Sequence, residues 1–201
     1  DLLARSDAAI HVSHALTVHP ERVETDYFTA VDDFEVMGSA HINNTELTSS
    51  LFYGYIVVDL PLLVSNLSGC KRQDWHLQDL SLASKTIQTL LYLIATVSPG
   101  AKKGSTAPYS YSNFILAEAG HAQPCSLANA FLEAIKTGED MVKKASSELC
   151  SFANKIEKMY GFGNKRGLVS LNGDFESISG ASQFEKMEDL AAWLDHQIHG
   201  R

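Results

Sequence analysis

Apolar positions change period several times along the chain. Leu3, Ala8, Val12, Ala15 and Leu16 step at roughly helical spacing and stop before His19-Pro20, which predicts a first helix over 3–17. From Arg22 the pattern alternates, with Val23, Thr25, Tyr27, Thr29 and Val31 on one face and Phe28, Ala30 and Phe34 on the other, as in a strand. A polar connection, 35–46, follows and is long for a hairpin turn, so it is expected to be a functional loop. The run 47–60 is apolar on both faces, and its second half reads as a central strand ended by Pro61.

Between Asp74 and Val97 the set Leu80, Ala83, Ile87, Leu90, Leu91 and Ile94 steps by three and four, which marks a long amphipathic helix stopped by Ser98-Pro99-Gly100. A basic loop with Lys102, Lys103 and Gly104 leads to a last short strand over 113–118. Helices are expected over 126–136 and 139–160, then a Gly-rich hinge over 161–180 and a terminal helix through Met187, Leu190, Leu194 and Ile198. Helix, strand, strand, helix, strand is a ferredoxin-like βαββαβ unit lacking its first strand, so the fold class is α+β. The strands at 54–59 and 113–118 are expected to flank the place of that strand, whose backbone groups must be satisfied by some other segment.

Composition adds limits. The 201 residues are 45% hydrophobic and 20% charged, as in an ordinary folded domain. A net charge of −8 repels phosphate, so any anion site must be local. Cys70, Cys125 and Cys150 form neither a disulfide framework nor a zinc motif, which makes a reducing, cytoplasmic setting the expectation. The run 51–64 is broken by Gly54, Asp59 and Pro61, and no signal peptide or membrane span is recognised, so no membrane partner is expected.

Candidate chemistry is sparse. His11 and His14 at i, i+3, with His19 beyond, suggest a metal site only weakly, because no carboxylate or Cys completes it at helical spacing. Surface or packing histidines are the plainer reading. Asp32-Asp33 at a strand end point to opposite faces and cannot chelate one ion in regular geometry. The chain has no GxSxG, P-loop or HExxH motif, and Gly161-Phe162-Gly163 with Asn164-Lys165-Arg166 follows a helix, where a connector is expected. Neither catalytic residue, nor metal, nor cofactor is assigned. Lys102 and Lys103 stand among small polar residues that suit a phosphate cradle or a solvated pair. Tyr27 and Phe28, with His41 and Ile42 across the loop, suit an exposed wedge that stacks on bases, or else core.

Whole words of the sequence are more specific. DYFTAVDDF (26–34), GSAHI (38–42), TSSLFYGY (48–55), PGAK (99–102) and PCSLANAF (124–131) closely resemble, in the same order, the Cas7 (CasC, Cse4) family, the crRNA-binding backbone subunit of the type I-E CRISPR Cascade complex. The chain is similar to the carboxy-terminal part of that family. The resemblance implies a non-enzymatic RNA-binding protein with an RRM-like palm portion at 1–125, including a β-hairpin thumb at about 22–58. A helical region, 126–201, would pack on that palm. Copies would assemble head to tail along the crRNA with the other Cascade subunits, and each thumb would kink the guide for pairing with target DNA. Tyr27 and Phe28 match the thumb's aromatic pair, and Ile42 the aliphatic residue beside the displaced nucleotide. Ser39, Ala40 and His41 complete the thumb contacts, and Lys102 and Lys103 would meet the RNA backbone.

Two other classes compete with this reading. An RRM-like ribonuclease that cleaves repeat RNA would use His41 as general base, but it needs a neighbouring cation, and no Lys or Arg lies between Arg22 and Lys71. A protein-only scaffold would never touch RNA.

Overall fold

The computed structural model describes residues 7–20, 22–30, 41–98, 107–173 and 177–200. Its centre is a three-stranded sheet of β7 (Phe114–Ala119), β8 (Lys165–Ser170) and β9 (Ala181–Phe184). β8 lies in the middle, antiparallel to β7 from Ala119↔Lys165 to Phe114↔Ser170 and parallel to β9.

Strand alternation in β7 sends apolar groups to both sides, and each side is covered by helix. Phe114 and Leu116, with Leu168 of β8, meet Leu149, Cys150 and Ala153 of α3 (Met141–Tyr160). Ile115 and Ala117, with Val169 and Phe184, meet Leu190 and Ala191 of α4 (Met187–His199) and Leu91 of α2 (Ser81–Thr96). Leu168, Leu190 and Cys150 are fully buried, so this sandwich is the main core.

Helix α4 ties this core to the rest of the chain. Its Asp195 accepts from the buried Ser84 hydroxyl and from Gln88 Nε2 at 3.2 Å, both on α2. Its Ile198 joins Leu60, Leu63 and Val64 of α1 (Leu60–Ser68), with Ala9 and Ala83, in a second cluster. Asp59 caps α1, accepting from Leu62 N–H at 3.0 Å, with Pro61 in the first turn, where its missing N–H costs nothing. Pro61 therefore starts a helix; it was expected to end a strand. A short 3₁₀ helix, Arg72–Leu77, separates α1 from α2, so the long helix begins at Ser81 and not near Asp74.

The opening segment departs most from expectation. Its described part holds two short strands, β1 (Ile10–Val12) and β2 (Leu16–Thr17), where a helix over 3–17 was predicted. Each finds an antiparallel partner beyond residue 50, β6 (Ile56–Val58) for β1 and β5 (Phe52–Tyr53) for β2, and long-range pairing outweighs a weak local periodicity. β6 is accordingly half of a two-stranded piece and not a central strand. It does not share a sheet with β7, and β8 supplies the β7 ladder, so the expected flanking of one absent strand is not the arrangement observed.

The later chain holds three further corrections. The expected hinge at 161–180 contains the central strand β8. Strand 113–118 is thus not the last. The predicted helix over 126–136 is a single 3₁₀ turn, Ala128–Phe131.

β8 was hidden by its glycine, which close packing explains. A Cβ on Gly167 would lie 2.8 Å from Trp193 Cε3 and 2.9 Å from Leu190 Cδ1, so the α4 ring and methyl occupy that space. Gly167→Ala should therefore destabilise the fold by about 1–3 kcal/mol, measured as a lower urea midpoint with unchanged slope. An unaltered midpoint would mean that α4 can step back from the sheet at no cost.

Candidate nucleic-acid interface

Strands β3 (Arg22–Ala30) and β4 (His41–Ser49) form an unbroken antiparallel ladder from Arg22↔Ser49 to Ala30↔His41. Among the described strands neither has a second partner. At about 3.4 Å per residue the ladder reaches about 27 Å. The long polar loop expected over 35–46 is therefore strand from His41 onward. A two-stranded ribbon can form from an almost wholly polar segment such as HINNTELTS, because backbone pairing and not a hydrophobic face defines it.

The ladder continues a longer, interrupted ribbon whose arms run 10–30 and 41–58. From Val12↔Ile56 to Leu16↔Tyr53 the first arm advances four residues and the second three. From Thr17↔Phe52 to Arg22↔Ser49 the advances are five and three. The surplus on the first arm acts as a pair of bulges, each of which bends and twists a ribbon.

The base of the hairpin is fixed at the second irregularity. Val18 N–H donates to Leu51 C=O at 3.0 Å, and Ile135 N–H donates to Val18 C=O at 2.8 Å. The buried His19 ring spans both arms: its Nε2 accepts from Leu51 N–H at 2.9 Å, which makes Nδ1 the donor to Pro20 C=O at 2.7 Å. Beneath them Val18, Ile135 and Ala145 form a small core with Leu51, Tyr53, Phe131 and Met141.

Tyr53 joins the second arm to the segment 126–131. Its hydroxyl accepts from Leu127 N–H at 2.9 Å, and its ring lies 5.7 Å from that of Phe131 at 52°. Two of the sequence words, TSSLFYGY and PCSLANAF, thus meet in space. Burial pushes the Tyr53 phenol up, and burial followed by the Tyr53 phenol pushes Tyr55 up to about 12, so both hydroxyls keep their protons at ordinary pH.

Of the residues singled out for RNA contact, Tyr27, Phe28, His41 and Ile42 fall on the four rungs farthest from this anchor, pairing with Asn44, Asn43, Ala30 and Thr29. Ser39, Ala40, Lys102 and Lys103, like Asp32 and Asp33, lie outside the described residues. His11 is in β1 opposite Val57, and His14 follows that strand, so the helical face proposed for them does not exist. Among the described residues no group of three His, Cys, Asp or Glu converges on a metal position.

Local sequence gave little sign of two important groups. His19 reads as one of three scattered histidines, and only its place beside Pro20 hints at an anchor. Arg166 sits in the stretch taken for a connector, yet it is 4% exposed and paired through Nε with Glu118 and through Nη2 with Glu157 at 3.2 Å. Its carboxylate partners come from β7 and α3, a meeting that no local pattern signals.

Beyond Arg22 at its first rung, the described ladder carries no Lys or Arg to neutralise nucleic acid. Residues 23–70 contain acidic side chains and no Lys or Arg. What an extended ribbon of this kind can do chemically is insert and stack, with cations supplied from elsewhere.

The chain is thus an α+β protein in which an antiparallel ribbon is set on a helix-covered sheet. A family profile matches residues 1–195, and the chain belongs to the CT1975-like protein family. No curated protein matches the sequence. The fold is similar to that of a chain in a solved CRISPR RNA-guided surveillance complex, with a TM-score of 0.78 and 24% identity, over 96% of this chain and 75% of that one. It is also similar to a chain of a CRISPR RNA-guided surveillance complex in a pre-nicking state, with a TM-score of 0.80 and 24% identity. That match covers 96% of this chain and 52% of the other, so the chain spans about half the length of that relative.

The anchor yields a direct test. His19→Ala leaves the Leu51 N–H without its acceptor in a buried place and should cost about 1–3 kcal/mol. Amide exchange at Leu51 should quicken while exchange along β8 changes far less. Equal acceleration at both sites would show that His19 supports the whole fold and not the hairpin base.

Proposed function

We propose that this chain is part of a crRNA-binding backbone subunit of a type I-E CRISPR Cascade surveillance complex, the Cas7 (CasC, Cse4) subunit. The observation that carries the reading is the β3–β4 ladder, which has no further partner among the described strands, with the sequence words of that subunit at its far end and at its anchor. Likeness in fold to chains of solved CRISPR surveillance complexes supports the same assignment.

In this proposal the hairpin is a thumb that folds over the guide RNA and displaces one nucleotide. Tyr27 and Phe28 stack on bases, Ile42 fills the gap, and Ser39, Ala40 and His41 follow the backbone around the tip. Stacking is indifferent to base identity, so sequence is read by pairing between guide and target DNA and not by the protein. The acidic hairpin requires that phosphate charge be met elsewhere, a role given to Lys102 and Lys103 and to neighbouring copies arranged head to tail. The subunit performs no chemistry, needs no cofactor and works in the cytoplasm beside the other Cascade subunits.

The thumb is tested in the assembled complex. Replacing Tyr27, Phe28 and Ile42 together by Ala should reduce crRNA retention by at least tenfold, since each stacked base is worth about 1–3 kcal/mol. The melting temperature of the free protein should not fall. A large drop in melting temperature would assign the three residues to a core.

Lys102 is tested by salt. If it neutralises one phosphate, Lys102→Ala should reduce the slope of log K against log salt by about 0.7 for single-stranded RNA. An unchanged slope would leave it a solvated surface lysine.

A further inference from the structure

Away from the hairpin, α1 and the 3₁₀ helix Arg72–Leu77 border a shallow, open depression of about 480 Å³ lined by Pro61, Lys71, Arg72, Gln73 and Trp75. Two of its five residues are cations, and they are the first after Arg22 in the sequence. On a chain of charge −8 this is a local pair of adjacent cations, with Asp59 bonded to one of them and Asp74 in the same 3₁₀ helix.

The two cations differ in what holds them. Arg72 Nη2 bonds Asp59 Oδ2 at 2.7 Å, and Asp59 is itself fixed as the cap of α1, so the guanidinium is positioned while its side chain stays 61% exposed. The Lys71 ammonium has no hydrogen bond or ion pair to a described residue. Asp59 offsets one of the two charges and the other is free. Trp75 and Pro61 supply the apolar wall of the same pocket. Trp75 is anchored on the cluster of Ala9, Leu60 and Val64, with the His76 ring edge-on to it at 6.4 Å and 85°. Pro61 is held in the first turn of α1, so that wall is rigid.

A bare inorganic anion would leave the wall unused, and an acidic peptide would have no need of an indole. A ligand with a phosphate at one end and a flat ring at the other uses every lining group. We propose that this pocket binds a nucleotide. Lys71 and Arg72 take its phosphate, Trp75 and Pro61 take its base, and the Gln73 amide lies within the same rim to bond the sugar or base edge. The nucleotide is either one unit of a single strand passing over α1 or a free mononucleotide. The site is separate from the hairpin and stands whether or not the thumb reading holds.

Trp75 is the reporter. In a Trp193→Phe background it is the sole tryptophan, and its emission is followed while uridine 5′-monophosphate, uridine, inorganic phosphate or a five-nucleotide uridine strand is added. The monophosphate should quench saturably, and uridine or phosphate alone should bind at least tenfold more weakly. Lys71→Ala removes an unpaired, exposed cation and should weaken monophosphate binding about tenfold without lowering the melting temperature. Arg72→Gln should act in the same direction. A strand that binds much more tightly than the monophosphate identifies the ligand as single-stranded nucleic acid, and equal affinities identify a free nucleotide. Absence of saturable quenching, phosphate alone matching the monophosphate, or Lys71→Ala leaving the titration unchanged would each overturn the proposal.

Discussion

The Leu51 peptide decides where the body of this protein stops and its projecting hairpin begins. Its carbonyl receives Val18 N–H and its N–H is taken by the His19 ring, so both polar groups of one residue cross between the arms just below the ladder. Val18 then passes the connection on to Ile135. Without those bonds the two arms would enter the core independently, and a two-stranded ribbon is marginal in water on its own. The buried faces below it supply the rigidity that the ribbon lacks.

A similar logic places charge inside the sheet region. Arg166 is buried between carboxylates from two different elements, and the N–H of Gly163 donates to the other oxygen of Glu157 at 3.0 Å. Desolvating three charges is expensive, and the gain is geometric: the end of α3, the turn after it and the start of β8 are held in one register. Because β8 is the central strand, fixing its start also fixes where β7 and β9 can pair.

How far the sequence revealed this depends on the range of the deciding contacts. α3, α4 and β7 were legible because their apolar spacing reports the face each buries. β1 and β2 read as helix because their partners lie some forty residues away, and five apolar positions at only roughly helical spacing are weak against that. β8 reads as a hinge because Gly167 looks like a breaker when Trp193 is out of view. At the candidate site the placing of Tyr27 and Phe28 in a strand follows from alternation, and the RNA-contact role proposed for them rests on resemblance. Periodicity does not reveal the strand from His41 to Ser49, since polar ribbons carry no periodic signal, and only the hairpin implied by resemblance covers it. His19 and Tyr53 act through backbone partners that only the folded chain supplies.

The unequal arms of the ribbon separate two properties that usually change together. Residues added in opposing pairs at the far end would lengthen reach by about 3.4 Å per rung and leave every nearer position facing as it does. A single residue added or lost where the arms already differ would turn over all positions beyond it. Reach is therefore free to drift among descendants of this sequence, whereas aim is inherited through a few unpaired residues near Val18, which makes that stretch the least tolerant of insertion in the hairpin.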